Sequence, residues 1–163
     1  MKSDRCIGDL GSQKGPVVIA TGAIHGNEPA GALALTQVVR ELTDHKIPLN
    51  GRFIALHGNL AAAKKNCRFI HEDLNRLWTT PRINKLRARL QNHEPHQSSE
   101  DLEQEELLTH IEAILKDLDK PVTFLDLHTM SGQGQPFAAL GNTKANRALA
   151  KHLPMDQVLD IGK

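Results

Sequence analysis

Two short segments of this chain each carry an apolar run to a histidine. The first is Val17-Val18-Ile19-Ala20-Thr21-Gly22-Ala23-Ile24-His25-Gly26-Asn27-Glu28, and the second is Val122-Thr123-Phe124-Leu125-Asp126-Leu127-His128. His25, Glu28 and His128 together offer two imidazoles and one carboxylate. That borderline donor set suits zinc, with one coordination position left open for water. Asp126 lies two residues before His128 and shares its strand face. It fits better as the acceptor for an imidazole N–H of His25 or His128 than as a fourth ligand, because ligating histidines usually carry such a partner. An Asp inside an otherwise apolar strand needs such a role, since an unpaired buried carboxylate is costly.

The elements that must position these groups follow from the pattern of apolar residues. Residues 16–23 and 121–128 each read as a buried strand with a histidine at its C-terminal end, and 51–57 as another strand. Residues 5–10 read as a short edge strand. Asn27 is a candidate cap for the helix that follows, with Pro29 in its first turn. Ala30, Leu33, Ala34, Val38 and Leu42 then recur at helical spacing. Residues 59–78 read as an irregular loop with short helical pieces, long enough to suggest a functional role. A basic helix is expected over 81–91 and a polar loop over 92–99. Ser98-x-x-Asp101 opens the clearest helix, whose stripe is Leu107, Leu108, Ile111, Ile114, Leu115 and Leu118 and whose acidic positions read as a solvated face. A strand over 136–140, a helix over 144–153 stopped by Pro154, and a strand beginning at Gln157 complete the chain. Strands alternating with helices indicate an α/β fold, a three-layer arrangement of a mostly parallel or mixed sheet with helices on both faces. A His-x-x-Glu where a strand hands over to a helix lies where open α/β sheets bind ligands.

At 163 residues the chain fits a single domain, 1–163, able to bury a sizeable core. Its net charge of +1 asks for neither nucleic acid nor an anionic membrane. No apolar run approaches the roughly 18 residues of a membrane span, and the charged N-terminus shows no signal peptide. Cys6 and Cys67 form no C-x-x-C pair and read as idle thiols, so a cytoplasmic location is expected. His93-x-x-His96 sits in a polar loop with no further ligand arranged around it. His57 ends a strand without a partner in the pattern. His71, Glu72 and Asp73 read as loop-shaping or solvent-facing residues. The basic residues Arg82, Lys85, Arg87 and Arg89 read as a solvated helix face. With only 3% aromatic residues the chain lacks stacking platforms for single-stranded nucleic acid.

The segment between the two histidine strands narrows the reading. It runs Gly58-Asn59-Leu60-Ala61-Ala62-Ala63-Lys64-Lys65-Asn66-Cys67-Arg68-Phe69-Ile70-His71-Glu72-Asp73-Leu74-Asn75-Arg76. With Gly-Ala-Ile-His25-Gly-Asn-Glu28-Pro-Ala-Gly before it and Asp126-Leu-His128-Thr after it, the chain resembles the succinylglutamate desuccinylase/aspartoacylase family of the zinc carboxypeptidase-like fold. The three motifs stand in order over residues 16–130. The resemblance implies a hydrolase of amino-acid metabolism, a deacylase that uses one zinc ion per chain to cleave the amide bond of a small-molecule N-acyl amino acid. It implies that His25, Glu28 and His128 are the metal ligands and that Arg68 polarises the scissile carbonyl. Arg68, Asn75 and Arg76 would bind substrate, the last two through a carboxylate, and Asp126 would back a ligand.

Two positions depart from the family pattern. Leu60 stands where the family usually has Pro after Asn59. The family's general base is a Glu on a later strand, and no Glu follows Glu112. The chain is therefore expected to be an N-terminal portion that lacks the base and a smaller C-terminal β domain, with doubtful activity by itself. An incomplete domain would expose apolar surface and self-associate as a homo-oligomer. A zinc carboxypeptidase acting on peptides and a non-catalytic metal- or ligand-binding module remain open as alternatives.

Overall fold

The computed structural model describes residues 4–12, 14–116 and 118–160. Its chain divides into two compact units, Met1–Thr129 and Met130–Lys163. The first unit contains strands β1 (Cys6–Gly11), β2 (Val17–Gly22), β3 (Arg52–His57) and β4 (Val122–Leu127) in one sheet of order β1-β3-β2-β4. β1 is antiparallel to β3, while β2 runs parallel to both β3 and β4. The sheet is thus mixed, with β2 at its centre and the expected edge strand at β1. In register, Thr21 pairs with Asp126 and Gly22 with Leu127, so both histidine-bearing strand ends emerge side by side.

Helices cover both faces. Val17 and Ile19 of β2 and Ile54 and Leu56 of β3 pack with Leu107 and Ile114 of helix α4 (Ser99–Leu115). The alternate residues Ala20 and Ala55 pack with Leu35 of helix α1 (Ala30–Asp44). This two-sided burial is what the apolar continuity of residues 17–22 requires. Between β3 and α4 lie α2 (Leu60–Lys64), a 3₁₀ turn (Leu74–Arg76) and α3 (Thr80–Gln91). Ser98 caps α4 as expected, its hydroxyl accepting from the Asp101 N–H at 3.1 Å.

Four expectations are corrected. Asn27 does not cap α1, because the helix begins later, with Pro29 at the cap position and no side-chain cap bond. The buried face of α1 is Gly31, Ala32 and Leu35, whereas Leu33 is 66% exposed and Val38 also faces outward. Close approach decides this face. A Cβ at Gly31 would meet the Leu127 carbonyl oxygen at 2.6 Å, so only glycine lets the helix lie this near β4. β4 is not buried on both faces. Leu125 and Leu127 pack on the α1 side, but Phe124 is 51% exposed. The reason is that β4 is a sheet edge, and a cavity of about 450 Å³ bounded by Ile24, Trp78, Leu107, Leu108, Ile111 and Phe124 separates it from α4.

The fourth correction concerns the acidic face of α4, which is not solvated. Glu100, Asp101 and Glu103 are all buried. Asp101 receives Arg82 at 2.5 Å and Arg89 at 2.6 Å, tying α3 to α4. Glu103 receives the fully buried Arg5 at 2.6 Å and the Leu60 and Ala61 N–H groups at 2.9 Å. These carboxylates are structural counter-charges.

The second unit holds β5 (Phe137–Leu140), α5 (Lys144–Ala150) and β6 (Asp156–Leu159), with β5 and β6 parallel. The strand expected from Gln157 onward is thus present through Leu159; residues 161–163 lie outside the described ones. No helix among the described residues is long and apolar enough to cross a membrane.

Burial pushes the Asp101 carboxyl up, but the Gln97 N–H and the Arg89 and Arg82 guanidiniums outweigh it and hold it below the usual range. A carboxyl depressed on folding stabilises above its unfolded value of about 3.9, and that contribution is lost as pH falls through the lower folded value. Stability is therefore expected to fall with acidification below about pH 4. Asp101→Asn is expected to cost about 3 kcal/mol at neutral pH, as for other broken buried pairs, and to flatten the acid limb. Urea unfolding of both proteins across pH 3–7 measures each effect.

Candidate metal centre

A left-handed residue bends the chain out of β2. Ala23 has φ of 60°, a conformation rare for a residue with a Cβ. The bend sends Ile24 into the core and brings buried His25 to the strand end. Gly26 follows, and a Cβ there would meet the Ala62 backbone at 2.1 Å. Its N–H donates to the Arg68 carbonyl at 3.2 Å, fastening the strand-end turn to the loop that carries Arg68. The Glu28 N–H donates to the His25 carbonyl at 3.0 Å, folding the His-x-x-Glu segment back on itself.

His25, Glu28 and His128 converge. One donor atom from each lies within 4.8 Å of the others. His25 Nδ1 is 2.9 Å from Glu28 Oε1, and His128 Nδ1 is 3.3 Å from Glu28 Oε2. The two imidazole rings stand 5.1 Å apart, tilted by 54°.

The opposite edge of each ring meets a carboxylate. His25 Nε2 is 3.0 Å from Asp73 Oδ1, and His128 Nε2 is 2.7 Å from Asp126 Oδ2. Ionised carboxylates only accept hydrogen bonds, so both Nε2 atoms carry protons. In neutral rings the two Nδ1 lone pairs then face the Glu28 oxygens, acceptor against acceptor. A second proton on the ring, or a cation between the groups, relieves this conflict. Two imidazoles and one carboxylate are a donor set that suits a zinc ion, and the backing carboxylates favour Nε2–H on each ring.

The charges around the cluster are coupled. Burial pushes the Glu28 carboxyl up, but the Thr129 N–H, 2.9 Å from Oε2, and the two imidazoles outweigh it and keep the group low. Burial likewise raises Asp73, while His25, the Asn75 N–H and Arg68 hold it below the ordinary range. The hydrogen bond to Asp126 raises His128 against the opposing effect of burial, and Glu28 at the other ring nitrogen adds to the rise.

The residues expected around the metal are placed unequally. Asp126 backs His128, and its second oxygen accepts from Thr21 Oγ1 at 2.7 Å. Arg68 reaches the cluster, with Nη1 3.3 Å from Glu28 Oε1 and Nη2 3.5 Å from Asp73 Oδ2. Asn75 Nδ2 lies 3.5 Å from His128 Nε2. Arg76 follows in the same 3₁₀ turn and is exposed. Among the described residues no hydrogen bond or ion pair joins its guanidinium to the cluster. Asp73 and Thr21 are the contributors that the sequence reading missed. Asp73 had a signal: it also caps the 3₁₀ turn, its Oδ1 accepting from the Asn75 N–H at 3.0 Å. Thr21 had none beyond its register opposite Asp126. The His71 and His96 rings are engaged elsewhere, accepting from the Ser99 N–H and meeting Glu105 respectively, and His57 is not part of the cluster.

The profile of the succinylglutamate desuccinylase/aspartoacylase catalytic domain matches residues 14–159. The chain belongs to this family. A stretch of 62 residues is 39% identical to the succinylglutamate desuccinylase of Photorhabdus laumondii, covering 38% of this chain and 19% of that protein. The corresponding figures for the Yersinia pestis (strain Pestoides F) succinylglutamate desuccinylase are 42% over 62 residues, 38% and 18%. The solved Vibrio cholerae succinylglutamate desuccinylase superimposes with a TM-score of 0.61 at 23% identity, over 82% of this chain and 36% of that one. The Chromobacterium violaceum enzyme gives 0.59 at 20% identity, over 74% and 35%. The fold is accordingly zinc carboxypeptidase-like, and the chain matches little more than a third of the length of these solved family members.

Loss of either backing carboxylate is expected to weaken zinc binding about 10- to 100-fold, the usual effect of removing a ligand's hydrogen-bond partner. Competition titration with a chromophoric chelator on Asp73→Asn and Asp126→Asn measures this. His25→Ala and His128→Ala are expected to abolish binding at one equivalent.

Proposed function

We propose that the site serves a zinc-dependent hydrolase that cleaves the amide bond of an N-acyl amino acid. The observation that carries this reading is the placing of Arg68 beside Glu28, at the rim of a His–Glu–His cluster, in a chain of this family. His25, Glu28 and His128 would hold the ion. When bound, zinc supplies Lewis acidity toward a carbonyl and lowers the pKa of water.

The chain's own groups supply the rest. Asp73 and Asp126 keep the protons on the Nε2 atoms, so that both Nδ1 lone pairs stay directed inward. The Arg68 guanidinium, half-exposed, has N–H groups left to meet a carbonyl oxygen and the negative charge that grows on it. Asn75, beside His128, and Arg76, on the exposed side of the same turn, provide a donor pair for a substrate carboxylate. Holding that carboxylate fixes the distance from it to the scissile bond, which is the positional part of catalysis. The relatives' names point to acylated amino acids; the choice of acyl group and amino acid is not carried by these residues.

The test is binding to the zinc-loaded chain, measured by calorimetry with N-succinyl- and N-acetyl-glutamate and with a tripeptide as competitor. The acyl amino acids are expected to bind in preference to the peptide. Arg68→Ala is expected to weaken them about 10- to 100-fold, as for loss of a charged hydrogen bond. Preference for the peptide would favour a carboxypeptidase, and equal affinity in wild type and Arg68→Ala would remove Arg68 from the substrate site.

A further inference from the structure

Glu100 is fully buried, and nothing in the chemistry above uses it. A glutamate in the first turn of a helix ordinarily complements the helix dipole and lies in solvent. Here both oxygens point away from their own helix, into the loop that carries the substrate residues. Oε1 accepts from the Ile70 N–H at 2.7 Å and from Asn59 Nδ2 at 3.1 Å. Oε2 accepts from the His71 N–H at 3.0 Å and the Glu72 N–H at 3.3 Å. Four donors, three of them consecutive backbone amides, thus close on one carboxylate.

The position of those amides gives the contact its meaning. Arg68 lies two residues before Ile70, Asp73 directly follows Glu72, and Asn75 follows two residues later. The gathered amides are therefore bracketed by Arg68 on one side and by the His25 partner and Asn75 on the other. The segment 65–73 contains no helix or strand that could fix it, so the anion stands in for regular structure.

We propose that Glu100 is a positioning residue: by gathering the amides of Ile70, His71 and Glu72 it sets Asp73 against His25 and holds Arg68 and Asn75 at the metal cluster. The link to zinc rests on the metal reading given above; the link from Glu100 to the His25–Asp73 contact stands on geometry alone. A carboxylate is required in this place. Glutamine has one acceptor oxygen, so its NH₂ would face either the Ile70–Asn59 donor pair or the His71–Glu72 pair.

Glu100→Gln, Asp73→Asn and the double variant, in the whole chain, separate this role from a merely structural one. The direct readout is the ring ¹⁵N and Nε2–H signal of His25 in the metal-free protein. Glu100→Gln is expected to shift it toward its position in Asp73→Asn, and an unchanged signal overturns the proposal. The second readout is zinc affinity. Glu100→Gln is expected to lower it about 10-fold, and the double variant to match Asp73→Asn within about 2-fold, because groups acting through one contact are not additive. Full additivity, or unchanged affinity in Glu100→Gln, overturns it. Glu100→Asp keeps the charge with a shorter reach and is expected to give intermediate values should Glu100→Gln fold poorly; wild-type values there would equally overturn the role. If the wild type binds no zinc, the metal reading fails, and the His25 signal still decides whether Glu100 places Asp73.

Discussion

The centre is organised by one carboxylate. Glu28 faces His25 with one oxygen and His128 with the other, takes the Thr129 N–H, and lies within reach of Arg68. These partners come from the end of β2, the end of β4 and the loop after α2, three stretches remote in sequence. Parallel pairing of β2 with β4 is what brings the first two together, since parallel neighbours place their C-terminal ends side by side. Gly31 then lets α1 lie against the Leu127 carbonyl, which seats Glu28 just ahead of the helix that follows it. Changing the register by one residue would turn Asp126 to the opposite face and break its contact with Thr21 and His128.

Much of this was legible in the sequence, and the parts that were share a property. The strand ends, the helices α3 and α4, the Ser98 cap and the irregular course of 59–78 all depend on local pattern or on chemistry within a few residues. The meeting of His25, Glu28 and His128 was legible because each histidine ended an apolar run, and the intermediate motif named Arg68 and Asn75, which lie beside them. What could not be read depends on contacts distant in sequence. The face of α1 is chosen by a backbone approach at Gly31, against the spacing of Leu33 and Val38. The exposure of Phe124 depends on which strand ends the sheet. Asp73 looked like a loop residue because its value lies in a ring 48 positions away.

The acidic residues of α4 show why charge is a poor guide to exposure. Their spacing alone suggested a solvated face, but burial of a carboxylate is tolerable when donors surround it. Asp101 has two guanidiniums and a backbone N–H. Glu103 has Arg5 and the first N–H groups of α2. The donors belong to segments that lack ladders or end helices, and so have backbone groups to spare. The basic residues of α3 are counter-charges for the same reason: Arg82 and Arg89 meet Asp101 across the helix pair and do not form an open patch.

The site loop is therefore tied down by carboxylate contacts at two adjoining places. At residues 70–72, an anion, Glu100, collects backbone N–H dipoles and tolerates burial because those dipoles hold its carboxyl below the ordinary range despite the cost of desolvation. Directly after them, Asp73 joins Glu28 and Asp126 around two imidazoles whose Nδ1 atoms both face Glu28. The first arrangement gathers backbone dipoles about one carboxylate; the second gathers three carboxylates about two imidazoles. A loop without regular structure can still keep Arg68 and Asn75 beside the cluster when the residues between them are fixed by such a closed set of donors.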